Sequence, residues 1–126
     1  LNPEMAQIPY ASFDLEIDFR KDAVNKQIQW NEDILLGWEN GVFFIKFLND
    51  TGCGRDIRRV AVKECNHIRM IKDVSYAEVY INYGETVMTT RYYPRNPQEN
   101  LMSIQGAEIV KSWELKKMEV YNMKEE

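Results

Sequence analysis

The sequence predicts an α+β domain in which six or seven mostly antiparallel strands precede a single C-terminal helix. Three stretches carry this reading. Two apolar runs meet across Asn40-Gly41, residues 13–19 alternate between apolar and acidic, and Asn96-Pro97-Gln98-Glu99 opens an apolar stripe at helical spacing.

In chain order, residues 1–12 come first. With Pro3 and Pro9 they form a polar lead that reads as a linker from a longer protein, the domain itself spanning 13–126. Through 13–19, Phe13, Leu15, Ile17 and Phe19 share one face and Asp14, Glu16 and Asp18 the other. This is the pattern of a half-buried strand. Its acids recur at about 6.6 Å, too widely for all three to grip one hard cation without another segment. They read as a solvated face, or as one paired with a basic neighbour. Residues 20–27 are charged and polar and read as a loop. Ile28 and Trp30 then alternate as a further strand, and Asn31, Glu32 and Asp33 turn the chain.

The run 34–48 forms the central hairpin. Both central residues of a type I′ turn need positive φ, which Asn tolerates and Gly adopts freely. Pairing across Asn40-Gly41 sets Glu39 against Val42, Trp38 against Phe43, Leu36 against Ile45 and Ile34 against Phe47. On the reverse face Leu35 meets Lys46, and the ring of Phe44 can cover the bare backbone of Gly37.

Residues 49–54, with Gly52 and Gly54, form a loop. They lack the Gly-Lys-Ser/Thr ending of a phosphate cradle. The next strand places Val60 and Val62 inward and Arg59, Ala61 and Lys63 outward, and Arg55, Arg58, Arg59 and Lys63 form the one candidate binding patch. Ile68 and Met70 resume the inward face after a bulge or short turn at 64–67. Cys65 and His67, two apart on a strand, lie about 6.6 Å from each other, whereas a thiolate needs its base at about 3 Å. A Cys/His enzyme and a zinc site from Cys53, Cys65 and His67 are both disfavoured. The expected state is a packed thiol beside a surface imidazole.

A second hairpin spans 76–93 and turns at Gly84-Glu85. A two-residue loop there sets Tyr83 against Thr86, Ile81 against Met88, and Glu78 against Arg91. Asn96 can then cap a helix with Pro97 at its first position and Glu99 reaching back, predicting a helix over about 97–121. Met102, Ile109, Trp113 and Val120 fall on one stripe of it. Gly106 weakens its first turns by about 1 kcal/mol against Ala, so residues 101–104 are an alternative last short strand.

At 126 residues the chain has the length of one domain, and its net charge of −4 argues against a nucleic-acid or anionic-membrane binder. Two cysteines are too few for a secreted disulfide scaffold, and no segment has the apolarity of a signal peptide or membrane span, so the expected location is intracellular, in cytoplasm or nucleus. No catalytic, metal-ligating or cofactor-binding set is complete.

In its strand order and closing helix the chain resembles a pleckstrin-homology-like domain over about 13–121, with Trp113 matching the tryptophan often found in that helix. The resemblance implies two nearly orthogonal sheets in a partly open barrel plugged by the helix through Trp113. It also implies a non-catalytic interaction module of a larger protein, monomeric or weakly self-associating, with a protein or peptide partner. A phosphoinositide ligand is the alternative, although the tight basic spacing after the first strand is missing. A different class, a small α+β pocket protein or enzyme, draws support from seven Tyr, five Phe and three Trp.

Overall fold

A computed structural model describes residues 3–49 and 57–115, which form eleven strands. In chain order they are β1 (Glu4–Ile8), β2 (Phe13–Phe19), β3 (Lys26–Trp30), β4 (Ile34–Glu39), β5 (Val42–Phe47) and β6 (Ile57–Ala61). There follow β7 (His67–Asp73), β8 (Tyr76–Ile81), β9 (Thr86–Arg91), β10 (Asn100–Gln105) and β11 (Ala107–Glu114). They build a six-stranded sheet in the order β1-β10-β3-β4-β5-β6 and a five-stranded sheet in the order β11-β2-β7-β8-β9. All pairings are antiparallel.

One core lies between the sheets. Phe13, Leu15 and Ile17 of β2 meet Ile28, Leu36 and Phe43 of the opposing sheet in a single buried cluster, as period-2 alternation requires. Trp30 anchors one end, with Phe13 and Tyr92 edge-on at 5.8 and 4.6 Å between ring centroids. Its indole N–H donates to Asn100 Oδ1 at 3.0 Å, and the Asn100 amide donates in turn to the carbonyls of Tyr10 and Pro97, each at 2.9 Å. Two lysines are also interior: Lys26 Nζ donates to the Cys65 carbonyl at 2.7 Å and Lys72 Nζ to the carbonyls of Asp73 and Val74.

The central hairpin has the expected register, Glu39 to Val42 through Ile34 to Phe47. A Cβ added at Gly37 would lie 2.9 Å from Cζ of Phe44, so the ring does cover that backbone. The second hairpin differs. Ile81 pairs with Thr86 and Tyr76 with Arg91, so the loop has four residues, Asn82 to Glu85, instead of two. Asn82, Tyr83 and Gly84 all take positive φ, at 52°, 61° and 92°. Because the slip is two residues, the side chains within the two strands keep their predicted faces, but Tyr83, expected inward opposite Thr86, sits in the loop 77% exposed.

The expected helix over 97–121, and with it the α+β class, is overturned: residues 100–105 and 107–114 are strands, making the fold an all-β sandwich. Asn96 does start a turn, with its carbonyl accepting from Glu99 N–H at 3.0 Å, but the turn does not propagate. Asn100, Met102 and Ile104 instead bury at period 2 against β3. Gly106, at φ 85°, redirects the chain into β11, which pairs with β2 at the edge of the other sheet. Trp113 sits on the outer side of that edge strand opposite Asp14, 48% exposed, and plugs nothing. Val120 and Tyr121 lie outside the described residues. Within the N-terminal lead, β1 pairs with β10 and buries Ile8.

Candidate functional site

The outer face of the five-stranded sheet gathers the ion pairs found among the described residues. Alternation puts Asp14, Glu16 and Asp18 of β2 outward beside Arg69 and His67 of β7. Arg69 grips the Asp14 carboxylate with two nitrogens, Nη2 to Oδ2 at 2.6 Å and Nε to Oδ1 at 3.1 Å. The hydrogen bond raises the guanidinium's already high pKa. The acids on this strand therefore pair with basic neighbours, one of the two states expected for them.

His67 differs from the surface imidazole expected. It is only 3% exposed, its Nε2 lies 2.7 Å from Glu16 Oε2, and Asp18 Oδ1 stands 4.0 Å away. A carboxylate acceptor at Nε2 leaves that nitrogen carrying the proton, and the buried Nδ1 has no hydrogen-bond partner among the described residues. The ring is covered by Tyr83, stacked at 4.0 Å and 11°. Tyr83 comes from the left-handed loop after β8, and Asn82 holds that loop in place. Asn82 Oδ1 accepts from Asn66 N–H at 2.8 Å and its amide donates to the Glu64 carbonyl at 2.6 Å.

Beside this stack opens a groove of about 600 Å³, walled by Val62, Lys63, Asn66, Tyr83, Glu85 and Thr86. Sequence reasoning missed it. Asn82 and Gly84 both tolerate positive φ, but Tyr83 between them does not announce it, and the turn reads as the shorter Gly84-Glu85. A polar cleft of about 500 Å³ lies among Asn31, Asp33, Arg95, Glu99 and Asn100, where the Tyr92 hydroxyl donates to Asp33 Oδ2 at 2.5 Å. Burial, with Asp33 beside it, raises the Tyr92 pKa. Cys65 is packed as expected, and burial pushes its thiol up to about 11. Among the described residues no cluster of His, Cys, Asp and Glu could hold a metal ion.

The four residues of the predicted basic patch do not share one surface as far as they are described. Arg58 sits at the seam between the sheets, where Nη1 donates to the Thr89 carbonyl at 2.5 Å. Arg59 is exposed on the outer face of the six-stranded sheet opposite Phe44, and Lys63 lines the groove. Arg55 lies outside the described residues.

Residues 47–122, well over half of the chain, match the family model described as Glycosyl hydrolases family 32 C terminal. The chain belongs to this family. What is matched is the C-terminal part of the glycosyl hydrolases, not a whole enzyme. No curated protein sequence matches the chain. Among solved structures, a glycoside hydrolase family 32 protein from Bifidobacterium adolescentis superposes with a TM-score of 0.75 at 14% identity. The match covers 91% of this chain and 20% of that one. A family 32 beta-fructofuranosidase from Bombyx mori gives 0.66 at 17% identity, over 92% of this chain and 25% of the other. Sheep galectin-11, in complex with glycerol, gives 0.63 at 9% identity and is covered over 98% of its length. At these identities the superpositions speak for the fold alone. This chain thus spans a fifth to a quarter of the family 32 proteins it overlays.

These findings overturn the pleckstrin-homology-like resemblance and the readings that came with it. The interaction module for a protein, peptide or phosphoinositide is replaced by the C-terminal part of a glycosyl hydrolase. The alternative α+β pocket protein fails because the described residues form two β-sheets and no helix. The tryptophan that carried the resemblance lies on an edge strand, where the pleckstrin-like fold needs a helix.

Proposed function

We propose that this chain is the non-catalytic β-sandwich portion of a larger sugar-hydrolysing enzyme of family 32. The observation that carries the reading is the family match over 47–122, with a fold that overlays a family 32 protein over 91% of this chain but only 20% of that protein. The site chemistry agrees with it. Glycoside hydrolysis uses two carboxyls flanking a bound sugar, about 5 to 9.5 Å apart, one of them free to act as acid. Here Asp14 is held by Arg69, Glu16 by His67 and Asp33 by Tyr92, so each works as a structural partner. The protein partner expected from the sequence is, on this reading, the catalytic remainder of the same polypeptide. The overlaid Bombyx mori protein is described as a beta-fructofuranosidase, and the substrate class on this reading is a fructoside. The test is release of reducing sugar from sucrose by this chain alone and by the longer polypeptide that contains it. Release by the longer polypeptide only is the expected result, and release by the isolated chain would overturn the proposal.

A further inference from the structure

The loop Asn82 to Glu85 holds a tyrosine in a backbone conformation that bulky side chains avoid, φ 61° at Tyr83, between two further left-handed residues. Three hydrogen bonds of the Asn82 side chain keep it there, to the N–H groups of Asn66 and His67 and to the carbonyl of Glu64. The result is a ring with one face on buried His67 and 77% of its surface still open, standing over a groove of about 600 Å³. That volume falls within the roughly 300–1,000 Å³ of small-ligand sites.

We infer that this groove is a saccharide-binding site, with the open face of Tyr83 as the stacking wall. The groove's chemistry narrows the ligand. Around the ring stand a cation, Lys63, two carboxylates, Glu64 and Glu85, and the neutral donors and acceptors Asn66 and Thr86. Asn66 already donates to Glu64 Oε1 at 3.2 Å, but a purely apolar ligand would take water from Lys63, Glu85 and Thr86, and an anion meets two carboxylates against one ammonium. A sugar ring offers a C–H face to the tyrosine and hydroxyls to both kinds of polar group. Only the choice of a fructoside probe rests on the reading above.

The test is titration of the isotope-labelled chain with fructosylnystose, followed by amide chemical shifts. Saturable shifts confined to Lys63, Asn66, Asn82, Glu85 and their neighbours are expected, with Kd on the order of 1 mM for so open a site. Asn tolerates positive φ, so Tyr83→Asn keeps the turn and removes the ring, and it should weaken binding at least tenfold, whereas Tyr83→Phe retains it. Lys63→Ala and Glu85→Ala probe the groove without touching the left-handed residues, and each should weaken binding. No shifts up to the solubility limit, shifts elsewhere, or binding unchanged in Tyr83→Asn would overturn the inference. So would a lysine-rich peptide filling the groove when the oligosaccharide does not. Hydrolysis is read separately: a longer polypeptide that cleaves sucrose while this chain ignores fructosylnystose sinks only the inference, and the converse sinks only the proposed function.

Discussion

Cys65 is wholly buried between the sheets, and burial pushes its thiol from the ordinary 9.0 up to about 11, with nearby Lys26 pulling the other way. In a Cys53→Ser background it should therefore resist a thiol reagent at pH 8 and react at once on unfolding. Rapid labelling of the folded chain would show that the core is open there. The same shift fixes a pH dependence. Below pH 9 the thiol is protonated in both states and contributes no slope. Between about 9 and 11 the unfolded thiol ionises and the folded one does not, so stability falls with rising pH by up to about 1.4 kcal/mol per unit. Lys72 acts oppositely, because burial lowers its ammonium's pKa and stability recovers as pH climbs toward 10.5. Comparing urea unfolding of the parent with Cys65→Ala cancels the lysine's effect. The parent's curve should fall more steeply across that window, and parallel curves would contradict the assignment.

At the scale of elements, what the sequence disclosed depended on whether turn chemistry and burial agreed. In β4 and β5 they did: Asn40-Gly41 fixes the register, and one face buries Ile34, Leu36, Phe43 and Ile45. In β8 and β9 burial alone fixed the faces, and the loop length was misjudged because Asn82 joins the left-handed run. The helix error has a different cause. Asn96-Pro97 is a genuine turn start, and Met102, Ile109 and Trp113 happen to fall at helical spacing, while β11 is an edge strand whose largely exposed faces carry no period-2 signal. Pairings such as β1 with β10 and β11 with β2 join distant segments, which no local turn announces. The burial of His67 was illegible for the same reason, since Glu16 reaches it from another strand and Tyr83 from the loop after β8.

Two predictions belong to these elements. Trp113→Ala should lower stability by less than about 1 kcal/mol, because half of the ring is already in solvent, whereas a helix plug would lose about 3 to 5 kcal/mol. Thermal melting decides between them. Gly106→Ala should be far worse than Gly41→Ala. At Gly41 only a positive φ opposes the new methyl group, a penalty of about 1 to 2 kcal/mol. At Gly106 the Cβ would also lie 2.2 Å from the Asn25 carbonyl oxygen, so a loss of roughly 3 kcal/mol or more is expected. Equal melting temperatures for the two variants would mean that Gly106 does not make the corner into β11.

For the whole molecule, the two sheets make a self-contained core, and the charges on the outer face of the five-stranded sheet are largely spent on one another. On the proposed reading, this body is the supporting domain of the larger enzyme. The groove under Tyr83 was not legible in advance because it is made by a loop between strands, not by a motif. The claim that this chain supports catalysis without performing it is tested most directly by removing residues 1–126 from the longer polypeptide. Sucrose kcat and the half-life of activity are then measured at raised temperature. The account predicts a kcat close to that of the parent in freshly prepared, folded enzyme, together with a markedly shorter half-life. A kcat lost in a remainder that is still folded, or recovered in the excised chain, would contradict it.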